Sequence, residues 1–233
     1  MYSRILLKLS GELLSGNEGF GVHPAPLACI AEEINTLRKS GLSIGLVIGG
    51  GNIFRGRSLI KDLNFPPQKA HHMGMVATVI NGIALETSLK EIGCPAVHFS
   101  AFPVGSFARP YVLDDVLETL KGHVAVFTGG TGNPYFSTDT AAALRASEIG
   151  AGVLLKGTKV DGVYDKDPVR YPDASRFDAI SYEEFLTRRL EIMDLSAVSL
   201  CRDQKIPVFV FDCTKKGNLT RIMTGDVPHT VIQ

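Results

Sequence analysis

The sequence predicts an α/β protein in which helices cover both faces of a mostly parallel central sheet, a three-layer αβα sandwich. Short apolar runs of strand length alternate with segments whose apolar residues recur at helical spacing. This alternation is typical of parallel sheets, because each crossover between parallel strands needs a connecting helix. The chain has 233 residues and contains no linker, internal repeat or low-complexity tract, so we predict a single domain over residues 1–233.

The individual elements are predicted from this periodicity. Strands are predicted at 4–9, 42–48, 96–99, 124–127, 153–155, 207–211 and 230–232. Helices are predicted at 24–40, 69–92, 114–121, 138–149, 182–190 and 195–204. On the long helix, one face carries Met73, Val76, Ala77, Ile80 and Ile83, and we expect Met73 to be a packing residue. The segment between the strand at 153–155 and residue 178 is predicted to be a polar loop.

Composition excludes several classes of protein. Lys and Arg together number 24, and Asp and Glu together also number 24. A nucleic-acid-binding protein usually carries a basic excess instead. No apolar run approaches the roughly 18 residues that a membrane span needs, and segment 2–8 is too short and too charged for a signal peptide. The cysteines are widely spaced, and His71 and His72 have no Cys, Asp or Glu at ligand spacing. We therefore expect reduced thiols, no metal site and a cytoplasmic protein.

Glycines cluster directly after the predicted strands at 4–9, 42–48 and 124–127. Because the carboxyl ends of parallel strands meet at one edge of a sheet, we expect these loops to converge on one ligand site. Glycine exposes backbone N–H groups and the following helix adds its positive end, which suits phosphate. A single such loop is equally consistent with a tight turn. The chain has neither GxxxxGK[ST] nor GxGxxG after a strand, which argues against a P-loop enzyme and a dinucleotide-dependent dehydrogenase.

Three charged residues lie in or beside these loops. Lys8 is inside an apolar strand, where a cation is costly unless it meets an anion; the alternative is a strand-end lysine that reaches solvent. Arg55, four residues past Gly51, is placed where a further helix would start, and arginine there opposes the helix dipole unless phosphate intervenes; the alternative is a surface arginine. Asp139 also stands at a predicted helix start, and a favourable dipole interaction is as good an explanation there as a functional role.

Five segments carry a resemblance to a known family. They read KLSGE at 8–12, GGGNIFRG at 49–56, HMGM at 72–75, TGNPYFSTD at 131–139 and KVDGVY at 159–164. In sequence and order these segments resemble the bacterial uridylate kinases (UMP kinases), the nucleotide branch of the amino acid kinase family. The similarity runs from residue 4 to about residue 167 and continues more loosely beyond it. It implies the amino acid kinase fold and transfer of the ATP γ-phosphoryl group to UMP with Mg²⁺, a step of pyrimidine nucleotide biosynthesis.

The resemblance also implies roles for individual residues. Lys8, Arg55 and Asp139 would be catalytic, with Lys8 neutralising the transferring group and Asp139 orienting Lys8 or a metal-bound water; Lys156 is a weaker candidate for a second phosphate lysine. The implied ATP-binding residues are Lys8, Leu9, Ser10, Gly11, Gly51, Arg55, Thr158, Tyr164 and Asp167. The implied UMP-binding residues are Gly50, His71, Thr131, Gly132, Asn133, Pro134, Tyr135, Phe136, Ser137 and Thr138.

One position departs from the family pattern. The family normally has an aspartate where this chain has His71, and its carboxylate accepts hydrogen bonds from the UMP ribose. A neutral imidazole can accept one such bond through a ring nitrogen but not two. We therefore expect His71 to line the acceptor pocket as a weaker acceptor; the alternative is that His71 has swung out of the pocket and another group holds the ribose.

Regulation and assembly are implied only by the resemblance. A segment similar to the one linked to GTP activation consists of Gly16, Asn17, Glu18, Gly19, Phe20 and Gly21. UTP is the usual feedback inhibitor, and homohexamers are typical of the family. Two alternatives stay open, namely a kinase of this fold that acts on carboxylates or carbamate and a catalytically silent nucleotide-binding module.

Overall fold

A nine-stranded sheet lies at the centre of the molecule in the computed structural model, which describes residues 2–54 and 64–233. The strands of this sheet are β1 Arg4–Leu9, β2 Ser43–Ile48, β3 Ala96–Ser100, β4 Arg109–Pro110, β5 Val124–Thr128, β6 Val153–Thr158, β9 Ala179–Ile180, β10 Val208–Asp212 and β11 His229–Ile232. A separate antiparallel pair consists of β7 Val163–Tyr164 and β8 Arg176–Phe177.

The strand order is β4-β3-β5-β2-β1-β6-β10-β11-β9. Every neighbouring pair is parallel except β10 and β11, which pair in antiparallel fashion. The predicted mostly parallel sheet is therefore confirmed. Strand β1 lies between β2 and β6, so the loop that follows it is flanked by the ends of two parallel neighbours.

Helices cover both faces of the sheet. They are α1 Pro24–Lys39, α2 Pro67–Glu91, α3 Leu113–Thr119, α4 Thr138–Glu148, α5 Tyr182–Arg188, α6 Leu195–Asp203 and α7 Asn218–Arg221, with 3₁₀ turns at Gly11–Leu13, Gly16–Glu18 and Ile222–Thr224. Buried residues of α1, α2 and α7 share one hydrophobic core with the sheet, and those of α3 to α6 share the other. This arrangement confirms the three-layer sandwich. Within the described residues, we find no helix with the length and apolarity needed to cross a membrane.

Four short strands and one short α-helix among the described residues were not predicted from the sequence. Strands β4, β7, β8 and β9 have two residues each and α7 has four, so none is long enough to show a periodic pattern. As a result, the segment predicted to be a polar loop up to residue 178 contains the β7–β8 pair.

The apolar face that was predicted for α2 is largely turned away from the core. Ala77 is buried, but the larger residues of that face are exposed, namely Met73, Val76, Ile80 and Ile83. Met73, which was expected to be a packing residue, therefore does not pack in the core of this chain. Other residues of α2 face the sheet, among them Gly82, Leu85 and Leu89. The helix approaches closely at Gly82, where a Cβ would lie 2.5 Å from the His98 ring.

Candidate active site

A buried charged cluster, formed by Lys8, Asp139 and Lys156, stands at the carboxyl ends of the central strands. Side chains alternate along a strand, so Lys8 projects to the same face as Leu6, which belongs to the core beneath α4. Lys156 is the register partner of Lys8 on the neighbouring strand β6. Asp139 lies in the first turn of α4, where the Ser137 Oγ accepts its backbone N–H at 3.0 Å.

Both lysines bind the one carboxylate. The Lys8 Nζ lies 2.7 Å from Asp139 Oδ1, and the Lys156 Nζ lies 2.7 Å from Oδ2. Lys8 and Asp139 are each 9% exposed and Lys156 is 5% exposed. The alternative of a strand-end Lys8 that reaches solvent is therefore wrong, because the side chain is enclosed and ion-paired.

The cluster perturbs the titration of its members. Burial alone would raise the pKa of Asp139, but Lys8 and Lys156 outweigh it and lower the pKa to about 2. Burial, followed by the nearby Lys8, lowers the pKa of Lys156 to about 8 despite the opposing effect of Asp139. Two lysines share one carboxylate in a poorly solvated place, so an anionic ligand would supply the missing negative charge.

The Lys8 cavity, a space of about 220 Å³, opens beside this cluster. It is lined by Lys8, Ser10, Glu12, Leu13, Lys156, Gly157, Thr158 and Lys159. The Lys159 Nζ pairs with Glu12 Oε2 at 2.7 Å and so ties the loop after β6 to the loop after β1. Ser10 and Thr158, both predicted from the resemblance, are thus brought together with Lys8.

The His71 cavity, of about 240 Å³, lies on the other side of the site. It is lined by Gly50, Gly51, Phe54, Ala70, His71, Gly74, Met75, Thr78, Gly130, Phe136, Ser137 and Thr138. Gly51 was expected on the ATP side, but it lines this cavity together with Gly50. Asp139 follows Thr138 directly, so the start of α4 connects the two cavities.

Two buried asparagines, which sequence reasoning missed, hold the glycine loops in place. Asn52 and Asn81 exchange amide hydrogen bonds at 2.7 and 3.0 Å, and Asn81 Nδ2 also donates to the Gly49 carbonyl oxygen at 2.7 Å. Gly11 packs against the same groups so closely that a Cβ would lie 2.3 Å from Asn52 Oδ1. Asn81 is a polar residue within an otherwise apolar part of α2, and this pattern is the signal that could have identified it.

Some predicted residues lie apart from these cavities. Leu9 is completely buried in the core, so only its backbone is near the site. Tyr164 and Asp167 line another cavity of about 450 Å³, where the Tyr164 hydroxyl donates to Asp161 at 2.6 Å. The UMP-binding candidates that do not line the His71 cavity are Thr131, Gly132, Asn133, Pro134 and Tyr135. Arg55 lies outside the described residues.

The expected role of His71 as a ribose acceptor needs correction. His71 lines its cavity as expected, but its Nδ1 already accepts a hydrogen bond from the Tyr135 backbone N–H at 3.1 Å. The neutral imidazole therefore carries its proton on Nε2 and can present only a donor to a ligand.

The segment from Gly16 to Gly21 lies beside the loops that follow β1 and β2. Its Gly21 N–H donates to the Asn52 carbonyl oxygen at 2.9 Å, and Asn52 Nδ2 donates to the Gly21 carbonyl oxygen at 2.7 Å. Gly16 and Asn17 line a cavity of about 450 Å³ together with Glu12 and Lys159, which also line the Lys8 cavity. The side chain of Phe20 is 68% exposed.

The fold and the lysine–aspartate site define a class of protein. A sequence profile of the amino acid kinase family matches residues 3–212, and the chain therefore belongs to this family. The predicted family membership is confirmed.

Within the family, the chain is similar to uridylate kinases. It is 48% identical to the uridylate kinase of Alcanivorax borkumensis, over 100% of this chain and 92% of the relative. It is 47% identical to that of Legionella pneumophila (strain Lens), over 99% of this chain and 94% of the relative. The crystal structure of UMP kinase from Bacillus anthracis superposes with a TM-score of 0.95 at 31% identity, covering 100% of this chain and 96% of the other. UMP kinase from Ureaplasma parvum gives 0.94 at 34% identity, with 100% and 99% covered.

Proposed function

We propose that the protein is a nucleoside monophosphate kinase that transfers the γ-phosphoryl group of ATP to UMP, giving UDP and ADP for pyrimidine nucleotide biosynthesis. Uridylate kinases similar over the whole chain support this function. The charged cluster of Lys8, Asp139 and Lys156 is the observation that carries it. Its lysines line the Lys8 cavity, its Asp139 directly follows Thr138 of the His71 cavity, and it has an excess of positive charge.

Phosphoryl transfer requires positioning and charge stabilisation more than covalent chemistry. On the donor side, Lys8 and Lys156 offer ammonium groups to the phosphoryl group in transit, and Asp139 fixes the direction in which both point. Because the carboxylate restrains both lysines before substrate arrives, little reorganisation is needed during the reaction. Ser10 and Thr158 line the space in which the ATP phosphates would lie.

The acceptor side relies on backbone groups and hydroxyls. The N-terminus of α4 and the glycines at 50 and 130 line the His71 cavity, where they can bind the UMP phosphate. Ser137 and Thr138 add hydroxyl groups. Since the same helix start carries Asp139, the bound UMP phosphate would approach the cluster at the point of transfer.

The residues present fit a Mg²⁺ ion that arrives bound to ATP. Both oxygens of Asp139 are engaged by lysines. Residues 2–54 and 64–233 contain no group of three His, Cys, Asp or Glu side chains placed to hold a metal ion. Mg²⁺ bound mainly by phosphates and water needs few protein ligands, and it would supply charge neutralisation at the phosphates. Glu12, which lines the Lys8 cavity, is the carboxylate best placed to assist.

The remaining predicted contacts are part of the same proposal. Arg55 would bind donor phosphates, and Tyr164 and Asp167 would hold the ATP base and ribose in their own cavity. The shared lining residues Glu12 and Lys159 support a nucleotide regulator near Gly16, with GTP as activator and UTP as inhibitor.

Assembly and location complete the proposal. The exposed residues Met73, Val76, Ile80 and Ile83 of α2 form an apolar stripe that supports burial against another copy of the chain. A homohexamer in the cytoplasm is the state proposed.

An acceptor panel tests the function. ADP release from ATP would be measured with UMP, CMP, dTMP, acetylglutamate and aspartate as acceptors. We expect UMP to give the highest kcat/KM. Turnover of acetylglutamate or aspartate in preference to UMP would contradict the proposal, and no turnover with any acceptor would favour a silent nucleotide-binding module.

A further inference from the structure

We propose that His71 is a positioning residue whose Nδ1 fastens the loop at 129–137 by holding the backbone N–H of Tyr135. The two residues are 64 positions apart and their nitrogen atoms lie 3.1 Å apart. Their rings also pack together, with centroids 5.1 Å apart and an interplanar angle of 43°. The effect of this fastening on UMP binding rests on the proposed function, whereas the hydrogen bond itself does not.

Tyr135 needs such support because its backbone is strained. Its φ is 72°, in the left-handed region that L-residues with a side chain rarely adopt. The other positive φ values in this loop belong to glycines, namely Gly129, Gly130 and Gly132, which adopt them without strain. Tyr135 therefore stays in this conformation only while its surroundings hold it, and the His71 hydrogen bond is a direct hold on its backbone.

The direction of the hydrogen bond fixes the protonation of the imidazole. A backbone N–H can only donate, so Nδ1 must be unprotonated, and the neutral ring carries its proton on Nε2. One ring nitrogen thus holds the loop, while the other remains for the cavity that His71 lines.

The loop matters for the site because Tyr135 directly precedes three residues that line the His71 cavity. These are Phe136, Ser137 and Thr138, and the Ser137 Oγ also caps α4 at Asp139. Releasing Tyr135 would therefore displace groups proposed to bind UMP, while the pairing of Lys8 with Asp139 would persist. The expected effect is a higher KM for UMP with little change in kcat.

Two substitutions separate the fastening from a direct ligand contact. The Oδ1 of His71→Asn reaches the position of Nδ1, so this variant keeps an acceptor for Tyr135 but has no group at the Nε2 position. The amide of His71→Gln reaches the position of Nε2 but leaves Tyr135 without an acceptor. His71→Leu removes both polar groups at similar size. A neutral hydrogen bond contributes enough to predict a KM for UMP about threefold to tenfold higher in the Gln and Leu variants, with the Asn variant near wild type.

Amide hydrogen exchange gives a readout that does not depend on activity. In the ligand-free protein we expect the Tyr135 amide to be protected in wild type and His71→Asn, and to exchange faster in His71→Gln and His71→Leu. Equal exchange of this amide in wild type and His71→Leu would overturn the proposal. That outcome does not depend on which substrate the protein phosphorylates. A protected amide in a protein that fails to phosphorylate UMP would instead overturn the proposed function and leave the fastening in place.

A strain-free background provides a further control. Tyr135→Gly removes the cost of the positive φ, so the effect of His71→Leu on the KM for UMP should shrink in this background. An effect of His71→Leu that is equally large in both backgrounds would contradict the fastening. So would a near-normal KM in His71→Gln together with a raised KM in His71→Asn, because that pattern reports direct contact of Nε2 with the nucleotide.

Discussion

The two sides of the candidate site differ in how they obtain their polarity. The Lys8 cavity borders a buried ion-paired cluster of Lys8, Asp139 and Lys156. The described residues that line the His71 cavity include no Lys, Arg, Asp or Glu, and its polarity comes from glycine backbone, hydroxyl groups and one imidazole. Charge is therefore concentrated where a phosphoryl group would be transferred, whereas the acceptor side depends on the shape of its loops.

This difference predicts that substitutions on the two sides affect different kinetic constants. Interactions that strengthen only in the transition state lower kcat when they are lost, while the loss of interactions that hold the bound substrate raises KM. Substitutions in the charged cluster should reduce kcat, and substitutions that loosen the glycine loops should raise the KM for UMP.

The largest effect is expected for Asp139→Asn. This change removes the charge that orients both lysines, so we expect kcat to fall on the order of a hundredfold or more. Steady-state kinetics with UMP as the varied substrate measure it. Glu148→Gln on the same helix is the matched control, because Glu148 pairs with Arg145 and accepts from Tyr111 away from the cluster. A control that loses as much turnover as Asp139→Asn would show that the loss comes from the helix and not from the cluster.

A smaller effect is expected at alkaline pH. The pKa of Lys156 is lowered to about 8 by burial and by Lys8, so this lysine is protonated below pH 8 and loses its charge above it. Above pH 8 we therefore expect an alkaline limb in the pH profile, on which kcat/KM for ATP falls about tenfold per pH unit. This constant reports ionisations of the free enzyme. Lys156→Arg keeps its charge and should remove the limb. If the fall in kcat/KM persists unchanged in Lys156→Arg, it belongs to another group. Lys166→Arg is the control, because Lys166 forms an exposed ion pair with Asp173.

The smallest kinetic effect is expected on the acceptor side, from Asn81→Ala. This change leaves Asn52 and the Gly49 carbonyl without their buried partner. We expect the free energy of unfolding in urea to fall by about 2 kcal/mol and the KM for UMP to rise a few-fold. Asn35→Ala is the control, because Asn35 is also buried but, within the described residues, its side chain accepts only a long 3.5 Å hydrogen bond from Arg38. Equal losses of stability in both variants would mean that the Asn52–Asn81 pair has no special role in supporting the glycine loops.

Sequence reasoning predicted what is local in the chain. The alternation of strands and helices predicted the sheet, and the glycines after three strands predicted an anionic ligand at their carboxyl ends. Lys8 was recognisable because a charged residue within an apolar strand is costly unless it meets an anion.

Contacts between distant segments could not be predicted in the same way. The pairing of Lys156 with Asp139 depends on strand register, and the Asn52–Asn81 exchange depends on how closely α2 approaches the glycine loop. The hydrogen bond from Tyr135 occupies the Nδ1 of His71, whereas sequence reasoning had expected this imidazole to accept a bond from the ribose. Each of these contacts depends on how distant segments pack together, and the spacing of residues in the sequence does not reveal that packing.

The most direct test of the division between the two sides is Lys8→Met, studied in two separate measurements. The single-turnover rate of ADP formation reports the transfer step, and calorimetric titration with UMP alone reports acceptor binding. We expect the rate to fall on the order of a hundredfold while the Kd for UMP stays within about twofold of wild type. A rate near wild type, or a Kd for UMP that rises by the same factor as the rate falls, would contradict the assignment of the charged cluster to phosphoryl transfer.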